Sequence, residues 1–225
     1  MTQIREAAVA GTFYPDHPGE LRRTVQGLLG RSGPGPGPAP RALIVPHAGY
    51  VYSGAVAARA YERLIPHRNT YSRVVLLGPG HRVSFSGLAL STAEAFRTPL
   101  GAVPLDRGVV EEAGRHGLSL LDEPHSAEHS LEVQLPFLQF VLREFTLVPV
   151  VVGHAEAEEV AQVINSLWGG PETLEVVSSD LSHYLPYDEA RRRDRSTCHA
   201  IEAMDEQGIG AADACGGLVI RGLLM

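Results

Sequence analysis

"RALIVPHAGY", residues 41–50, is the stretch that decides the fold. The apolar run 42–45 is short and unbroken, which predicts a strand buried on both faces, as in a parallel sheet. Pro46 ends this run, His47 follows at once, and Gly49 permits a tight turn into the next segment. The stretch therefore predicts a buried strand that carries an imidazole to the edge of a sheet.

Similar apolar runs alternate with helical patterns along the rest of the chain. Strands are predicted at 41–46, 73–78, 145–153 and 174–180, with a weaker one at 87–91. Helices are predicted over 18–30, 53–64, 129–145, 156–170 and 187–208. We expect Ser53 to cap its helix, the next helix to bend or restart at Pro136, and glycines to end the last two. The alternation predicts an α/β fold with a mostly parallel central sheet flanked by helices.

The only low-complexity stretch is the Gly/Pro-rich segment 31–41, which is expected to form a loop. The residues before it are too few to hold a core alone, so they are assigned to the same domain as the rest. We therefore expect one domain over residues 1–225.

Composition excludes several classes of function. The net charge of −7 argues against a nucleic-acid-binding protein, which needs a clustered basic face. No apolar run is long enough to cross a membrane, and the N-terminus lacks a signal-peptide pattern. Two cysteines in a chain of this length indicate free thiols rather than a disulfide scaffold, so a cytoplasmic location is expected.

Three of the predicted strands end in polar groups. His47 follows the first and His81 follows the second, whereas Asp180 ends the fourth and His183 comes three residues after it. Ligands of open α/β sheets bind at the carboxyl ends of the strands, so these side chains are expected at one edge. One histidine after a strand is usually an ordinary loop residue; the coincidence of several is what indicates a site.

A further histidine pair lies in "EPHSAEHSLE", residues 123–132. His125 and His129 have the i, i+4 spacing that places side chains on one helical face, beside Glu128 and Glu132. The alternative is an exposed first helical turn, where Glu is favoured by the helix dipole.

Cys215 precedes an apolar helical run near the end of the chain. A thiol at a helix N-terminus ionises more readily and becomes a better metal ligand or nucleophile. The alternative is a small buried residue beside glycines. Two imidazoles and a thiolate would suit Fe(II), Cu or Zn. Asp180, His183 and His129 could then act around the metal or as proton donors and acceptors.

Several motifs occur in an order that resembles the Memo family, also called AmmeMemoRadiSam system protein B. They are "REAAVAGTFYP", "PHAGYVYSG", "LGPGH", "EHSLEVQLPF", "SSDLSHY" and "ACG". The resemblance extends over nearly the whole chain, and it implies a fold similar to that of class III extradiol dioxygenases, which are non-haem iron enzymes.

The resemblance also implies roles for individual residues. His47, His81 and Cys215 match the metal-ligand positions, with the cysteine where the dioxygenases have a carboxylate. His183 matches the acid–base histidine, and Asp180 and His129 match pocket residues. The resemblance implies Fe(II) or Cu as the metal, and thiolate ligation favours softer ions such as Cu(I). The thiol in place of the carboxylate favours redox chemistry over ring cleavage.

Two other functions stay open at this point: an Fe(II)-dependent catechol dioxygenase, and a non-catalytic module that binds a peptide or small molecule. No nucleic-acid or membrane partner is expected, and a homo-oligomer is compatible with the sequence. The family usually continues for some tens of residues past the cysteine helix, so the resemblance implies that the C-terminal part of the family domain is missing after Met225.

Overall fold

The computed structural model describes residues 3–30, 33, 37–115 and 118–225. Of the Gly/Pro-rich segment, residues 31, 32 and 34–36 lie outside the described residues, so the loop predicted there is not tested in full. The strands are β1 (Ile4–Arg5), β2 (Ala42–Val45), β3 (Arg73–Pro79), β4 (Leu88–Leu90), β5 (Ala95–Thr98), β6 (Gly101–Pro104), β7 (Ser119–Leu120), β8 (Thr146–Val152) and β9 (Thr173–Ser178). The α-helices are α1 (Pro18–Leu29), α2 (Tyr50–Glu62), α3 (Arg107–Arg115), α4 (Glu123–Ser126), α5 (Leu135–Val141), α6 (Ala157–Leu167), α7 (Tyr187–Glu202) and α8 (Gly217–Leu224).

The central sheet has the strand order β2-β9-β3-β8-β4-β7. Strands β2, β9, β3 and β8 run parallel, whereas β4 pairs antiparallel with β8. Pro149 of β8 has no N–H to donate, but it lies just before residues 150–152, which pair with β4, so it does not interrupt that pairing. A smaller sheet has the order β1-β5-β6. The predicted α/β architecture with a mostly parallel central sheet is confirmed.

The central strands are buried on both faces because alternate residues enter two different cores. On β3, Val74 and Leu76 pack with α1, α2 and α5, whereas Val75 and Leu77 pack with α6 and α8. This explains the nearly continuous apolar runs in the sequence: a strand with two covered faces takes mainly apolar side chains until it ends, although β9 also buries Glu175.

Some local predictions were wrong. Helix α2 begins at Tyr50 after Gly49, so Ser53 lies inside it and donates its hydroxyl to the carbonyl of Ala48 instead of capping the helix. The stretch 129–145 is not one helix but a short 3₁₀ turn followed by α5, which starts at Leu135; the restart expected at Pro136 is therefore confirmed. Helix α7 ends before Ala203, not at a glycine.

No helix in the described residues is long and apolar enough to cross a lipid bilayer.

Candidate metal centre

The order of the central strands brings the predicted residues together. Strands β2, β9 and β3 are adjacent and parallel, so their carboxyl ends lie side by side. His47 follows β2, Asp180 follows β9, and His81 follows β3. Cys215 joins them from the loop before α8, where its backbone N–H donates to the carbonyl of Asp180 at 3.2 Å.

His47 is buried, and its two ring nitrogens face different partners. Nδ1 lies 2.9 Å from the hydroxyl oxygen of Ser178, and Nε2 lies 3.2 Å from Sγ of Cys215. The Ser178 hydroxyl donates to the carbonyl of Ser130 at 2.6 Å, so it can only accept from the imidazole. Nδ1 of His47 therefore carries a proton, and Nε2 is the nitrogen that faces Cys215 and is available to a metal once it is unprotonated.

Glu128 holds His81 in the same way. Nδ1 of His81 lies 3.0 Å from Glu128 Oε1, and the backbone N–H of His81 donates to Oε2. Burial alone would raise the pKa of the Glu128 carboxyl, but His129, His81 and the backbone N–H of Ser130 hold it well below its usual range. An ionised carboxylate only accepts, so Nδ1 of His81 carries a proton and Nε2 is left for another partner.

The Cys215 thiol lies close to both imidazoles. Burial by itself would raise its pKa, but hydrogen bonds with His47 and His81 outweigh this and lower the pKa to about 6. The contact with Cys215, followed by that with Glu128, raises the pKa of His81 to about 9. The backbone N–H of Asp180 also donates to Sγ at 3.3 Å. The surroundings of Cys215 therefore favour its thiolate, which is the form that binds metals.

Asp180 and His183 lie at the rim. Oδ1 of Asp180 accepts from the backbone N–H groups of His47 at 2.7 Å and Ala48 at 3.1 Å, which fixes the turn after β2. Its Oδ2 lies 3.9 Å from Nε2 of His47 and 3.8 Å from Nε2 of His183. The His183 side chain is 43% exposed, so it faces solvent at the mouth of the site.

His129 completes a cluster of three imidazoles. Its ring centroid lies 5.4 Å from that of His47 and 4.7 Å from that of His81, with Phe13 packed on it at 4.8 Å. The ligand atoms of His47, His81 and His129 all lie within 4.8 Å of one another. The same holds for His47, Asp180 and Cys215. Donor sets of imidazole and thiolate fit a transition metal.

His125 does not join the site, and the prediction that it shares a helical face with His129 was wrong. Helix α4 ends at Ser126, so the i, i+4 rule does not apply across this stretch. His125 is buried against Phe96, and its Nε2 contacts the carbonyl of Ala89 at 3.1 Å. Burial lowers the pKa of His125 to about 4, so the ring is neutral.

Sequence reasoning missed the residues that orient the candidate ligands. By pattern alone, Ser178 is only the end of a strand, Glu128 is part of a polar helix start, and Phe13 has no role. A signal for Glu128 is its place directly before His129, in a segment with an unusual density of histidine and glutamate. Phe13 lies in the motif "REAAVAGTFYP", but nothing in that motif links it to the histidines, and only its packing on His129 reveals its position.

Comparison with known proteins agrees with these features. The family model described as "Memo-like protein" matches residues 5–214. A MEMO1 family protein of Aquifex aeolicus is 39% identical over 91% of this chain and 77% of its own length. One from Methanothermobacter thermautotrophicus is 39% identical over 92% of this chain and 79% of its own. Protein MEMO1 of Danio rerio is 34% identical over 92% of this chain and 72% of its own.

The matched residues include His47, His81, Asp180 and His183, and they end just before Cys215. The family model covers the strands whose ends carry the candidate metal ligands, and the alignments with the relatives cover most of the chain. The chain therefore belongs to the Memo family.

Proposed function

We propose that the protein binds one transition-metal ion through His47, His81 and Cys215. The 3.2 Å approach of Cys215 Sγ to His47 Nε2 carries the proposal, because it joins residues from opposite ends of the chain at one point. Each imidazole has its Nδ1 held by an oxygen, which is how metal-binding histidines are oriented in proteins.

The proposed metal is Fe(II) or Cu, because the resemblance of the Memo family to non-haem iron enzymes favours a redox-active ion. The thiolate and imidazoles also fit Zn, which carries no redox chemistry. Once bound, such an ion would supply one-electron chemistry for an oxidoreductase reaction. Ser178 and Glu128 would hold the imidazoles in place. His183, which faces solvent beside Asp180, and the half-buried His129 would give or take a proton from the substrate.

Metal analysis tests the proposal. Protein purified without chelator should hold close to one equivalent of metal, and the His47→Ala, His81→Ala double variant and Cys215→Ser should hold much less. His199→Ala, which changes an exposed histidine of α7, is the matched control and should keep the metal. Equal metal content in the double variant and the control would refute the proposal. X-ray absorption at the iron and copper edges would identify the ion.

A ring-cleaving dioxygenase is the second candidate, and the position of His183 favours it. Its imidazole lies at the mouth of the site, 3.8 Å from Asp180, where it could take a proton from a catechol. This function requires oxygen uptake by the Fe(II)-loaded protein with catechols, lost in His183→Ala. Absence of uptake across a catechol panel would exclude it and leave the metal-binding proposal unaffected.

We also propose a cytoplasmic location. The thiols Cys198 and Cys215 are both free, and Cys198 is exposed, a state that a reducing compartment maintains. Cell fractionation would test this.

A further inference from the structure

A cavity of about 470 Å³ opens beside the candidate metal centre. His81 and Cys215 form part of its wall, so a molecule in the cavity would lie against two of the three proposed ligands. The volume falls in the range of sites that bind small molecules, which is roughly 300–1,000 Å³. The composition of the remaining wall therefore bears on what kind of substrate the centre accepts.

The polar part of this wall carries positive charge and hydrogen-bond donors. Arg82 lies next to His81 and is exposed, and it forms no ion pair with any residue in the part of the chain that the structure describes. Ser84 and His154 lie nearby, with the Ser84 hydroxyl 3.0 Å from His154 Nε2. None of the described residues that line the cavity is acidic, although the chain as a whole has a net charge of −7. The charge on the cavity wall is therefore opposite in sign to the net charge of the chain, as expected where an anion binds.

The rest of the wall is apolar. Side chains from three elements contribute to it: Val83 and Phe85 from the loop after β3, Val152 from the end of β8, and Leu218 and Val219 from α8. Such a surface gains free energy by covering hydrocarbon, so it favours a ligand with an apolar body over a small inorganic anion.

The loop that carries Arg82 is anchored on both sides of the cavity. The N–H of Gly80 donates to the carbonyl of Val152 at 2.8 Å, and the N–H of His154 donates to the carbonyl of Phe85 at 2.8 Å. A Cβ on Gly153 would come within 2.3 Å of the Phe85 carbonyl oxygen, so the two backbones approach as closely as glycine allows. Arg82 is therefore presented from a fixed backbone, which reduces the entropy lost on binding.

We propose that the substrate of the centre is a small organic anion with an apolar body, whose charged group is held by Arg82 while the body lies on Phe85, Val152 and Leu218. This inference rests on the proposed metal centre, because the centre makes the cavity a reaction site. The guanidinium would bind a carboxylate or a similar group in a fork of two hydrogen bonds. His154 and Ser84 would supply further hydrogen bonds to the same group.

Calorimetric titration with matched pairs of probes tests the proposal. Benzoate and hexanoate carry the charge, and benzamide and hexanamide are their neutral isosteres. We expect the anions to bind the wild-type protein at least about tenfold more tightly than the amides, since a charge-assisted hydrogen bond is stronger than a neutral one. Arg82→Gln should remove that preference. Arg23→Gln, which changes an exposed arginine of α1 outside the cavity, should keep it.

Each titration is made on metal-loaded and on chelator-treated protein, with metal content measured in parallel. Arg82→Gln should keep the metal content of the wild type. Absence of bound metal in the wild type would refute the proposed function. Tighter binding of the acids than of the amides by the chelator-treated protein would still support the anion site. Equal affinity for acids and amides, no saturable binding of either acid, or equal behaviour of the two arginine variants would overturn the inference.

Discussion

At the residue scale, Glu128 connects two of the clustered histidines. Its buried carboxylate accepts from the ring of His81 and from the backbone N–H groups of His81, His129 and Ser130. Its hydrogen bond to Nδ1 orients the ring of His81. A residue in this position tunes a metal site without touching the metal.

We expect Glu128→Gln to weaken metal binding by about 10–100-fold, because an amide holds the imidazole less firmly than a carboxylate does. Competition with a chelator of known affinity would measure the change. Glu123→Gln, an exposed glutamate of α4, should leave the affinity unchanged. Wild-type affinity in Glu128→Gln would show that the carboxylate does not orient His81.

Glu175 on β9 is a different kind of buried acid. It is 1% exposed, and neither carboxylate oxygen has a hydrogen-bond partner among the described residues. Burial raises its pKa from 4.5 to about 8, although the positive charge of Arg41 acts in the opposite direction. The folded protein therefore keeps this carboxyl protonated over a range in which the unfolded chain ionises it.

From this we predict a pH-dependent loss of stability. The contribution of the neutral carboxyl is fully present below pH 4.5 and is lost as the pH rises through about 8. Between pH 5 and pH 8 the loss should be up to about 4 kcal/mol, at about 1.4 kcal/mol per unit. Glu175→Gln carries no ionisable group at this position, so its stability relative to the wild type should rise with pH over this range. Urea denaturation at several pH values would measure this difference in the free energy of unfolding. A flat difference, as expected for the exposed Glu158→Gln, would contradict the prediction.

At the element scale, the packing of α8 on α6 decides where Cys215 lies. Gly222 is the point of closest approach: a Cβ there would lie 2.6 Å from side-chain atoms of Val160 and 3.1 Å from the backbone nitrogen of Ala161. Because backbone cannot move aside as a flexible side chain can, the two helices are held near the minimum separation. The loop before α8, with Cys215, is thereby set against the strand ends.

Gly222→Ala should destabilise the protein by about 1–3 kcal/mol through overpacking, even though alanine favours a helix. Gly27 provides a matched control, since it also lies within a helix but has no atom within 4 Å of the added Cβ. Gly27→Ala should stabilise by roughly 0.5–1 kcal/mol. Thermal unfolding of both variants would test this, and a stabilising shift in Gly222→Ala as well as in Gly27→Ala would show that α6 and α8 can separate.

At the scale of the whole molecule, Glu132 ties the N-terminal segment to the central body. Its fully buried carboxylate accepts from the guanidinium of Arg5, the hydroxyl of Tyr14, and the backbone N–H groups of Ala8 and Val9. This network spans residues 5–14, and it therefore also positions Phe13 against His129. A substitution at Glu132 should therefore also disturb the packing of Phe13 on His129 in the candidate metal centre.

Glu132→Gln should cost about 3–5 kcal/mol, because it leaves the buried charge of Arg5 without its counter-ion. Glu6→Gln breaks the ion pair with Arg97 in the same region, but both partners are exposed, so the expected cost is about 0–1 kcal/mol. Urea denaturation of both variants would measure the contrast. Similar costs would mean that the N-terminal segment is not held by this carboxylate.

The sequence by itself determined which segments become central strands and where each one ends. The apolar runs at 41–46, 73–78, 145–153 and 174–180 are local signals, because a strand covered on both faces takes mainly apolar side chains, with Glu175 as a buried exception. The same signals place His47, His81 and Asp180 at strand ends. The resemblance in motif order then indicated Cys215 as their partner.

Only the tertiary structure decided which neighbours these residues have. The insertion of β9 between β2 and β3 brings Ser178 to His47, and no local pattern encodes that order. The chain between Glu123 and Glu132 turns instead of continuing as a helix, so His129 faces the site while His125 packs against Phe96. The physical reason is range: strand and turn signals act over a few residues, whereas strand order and side-chain partners depend on packing between segments distant in sequence.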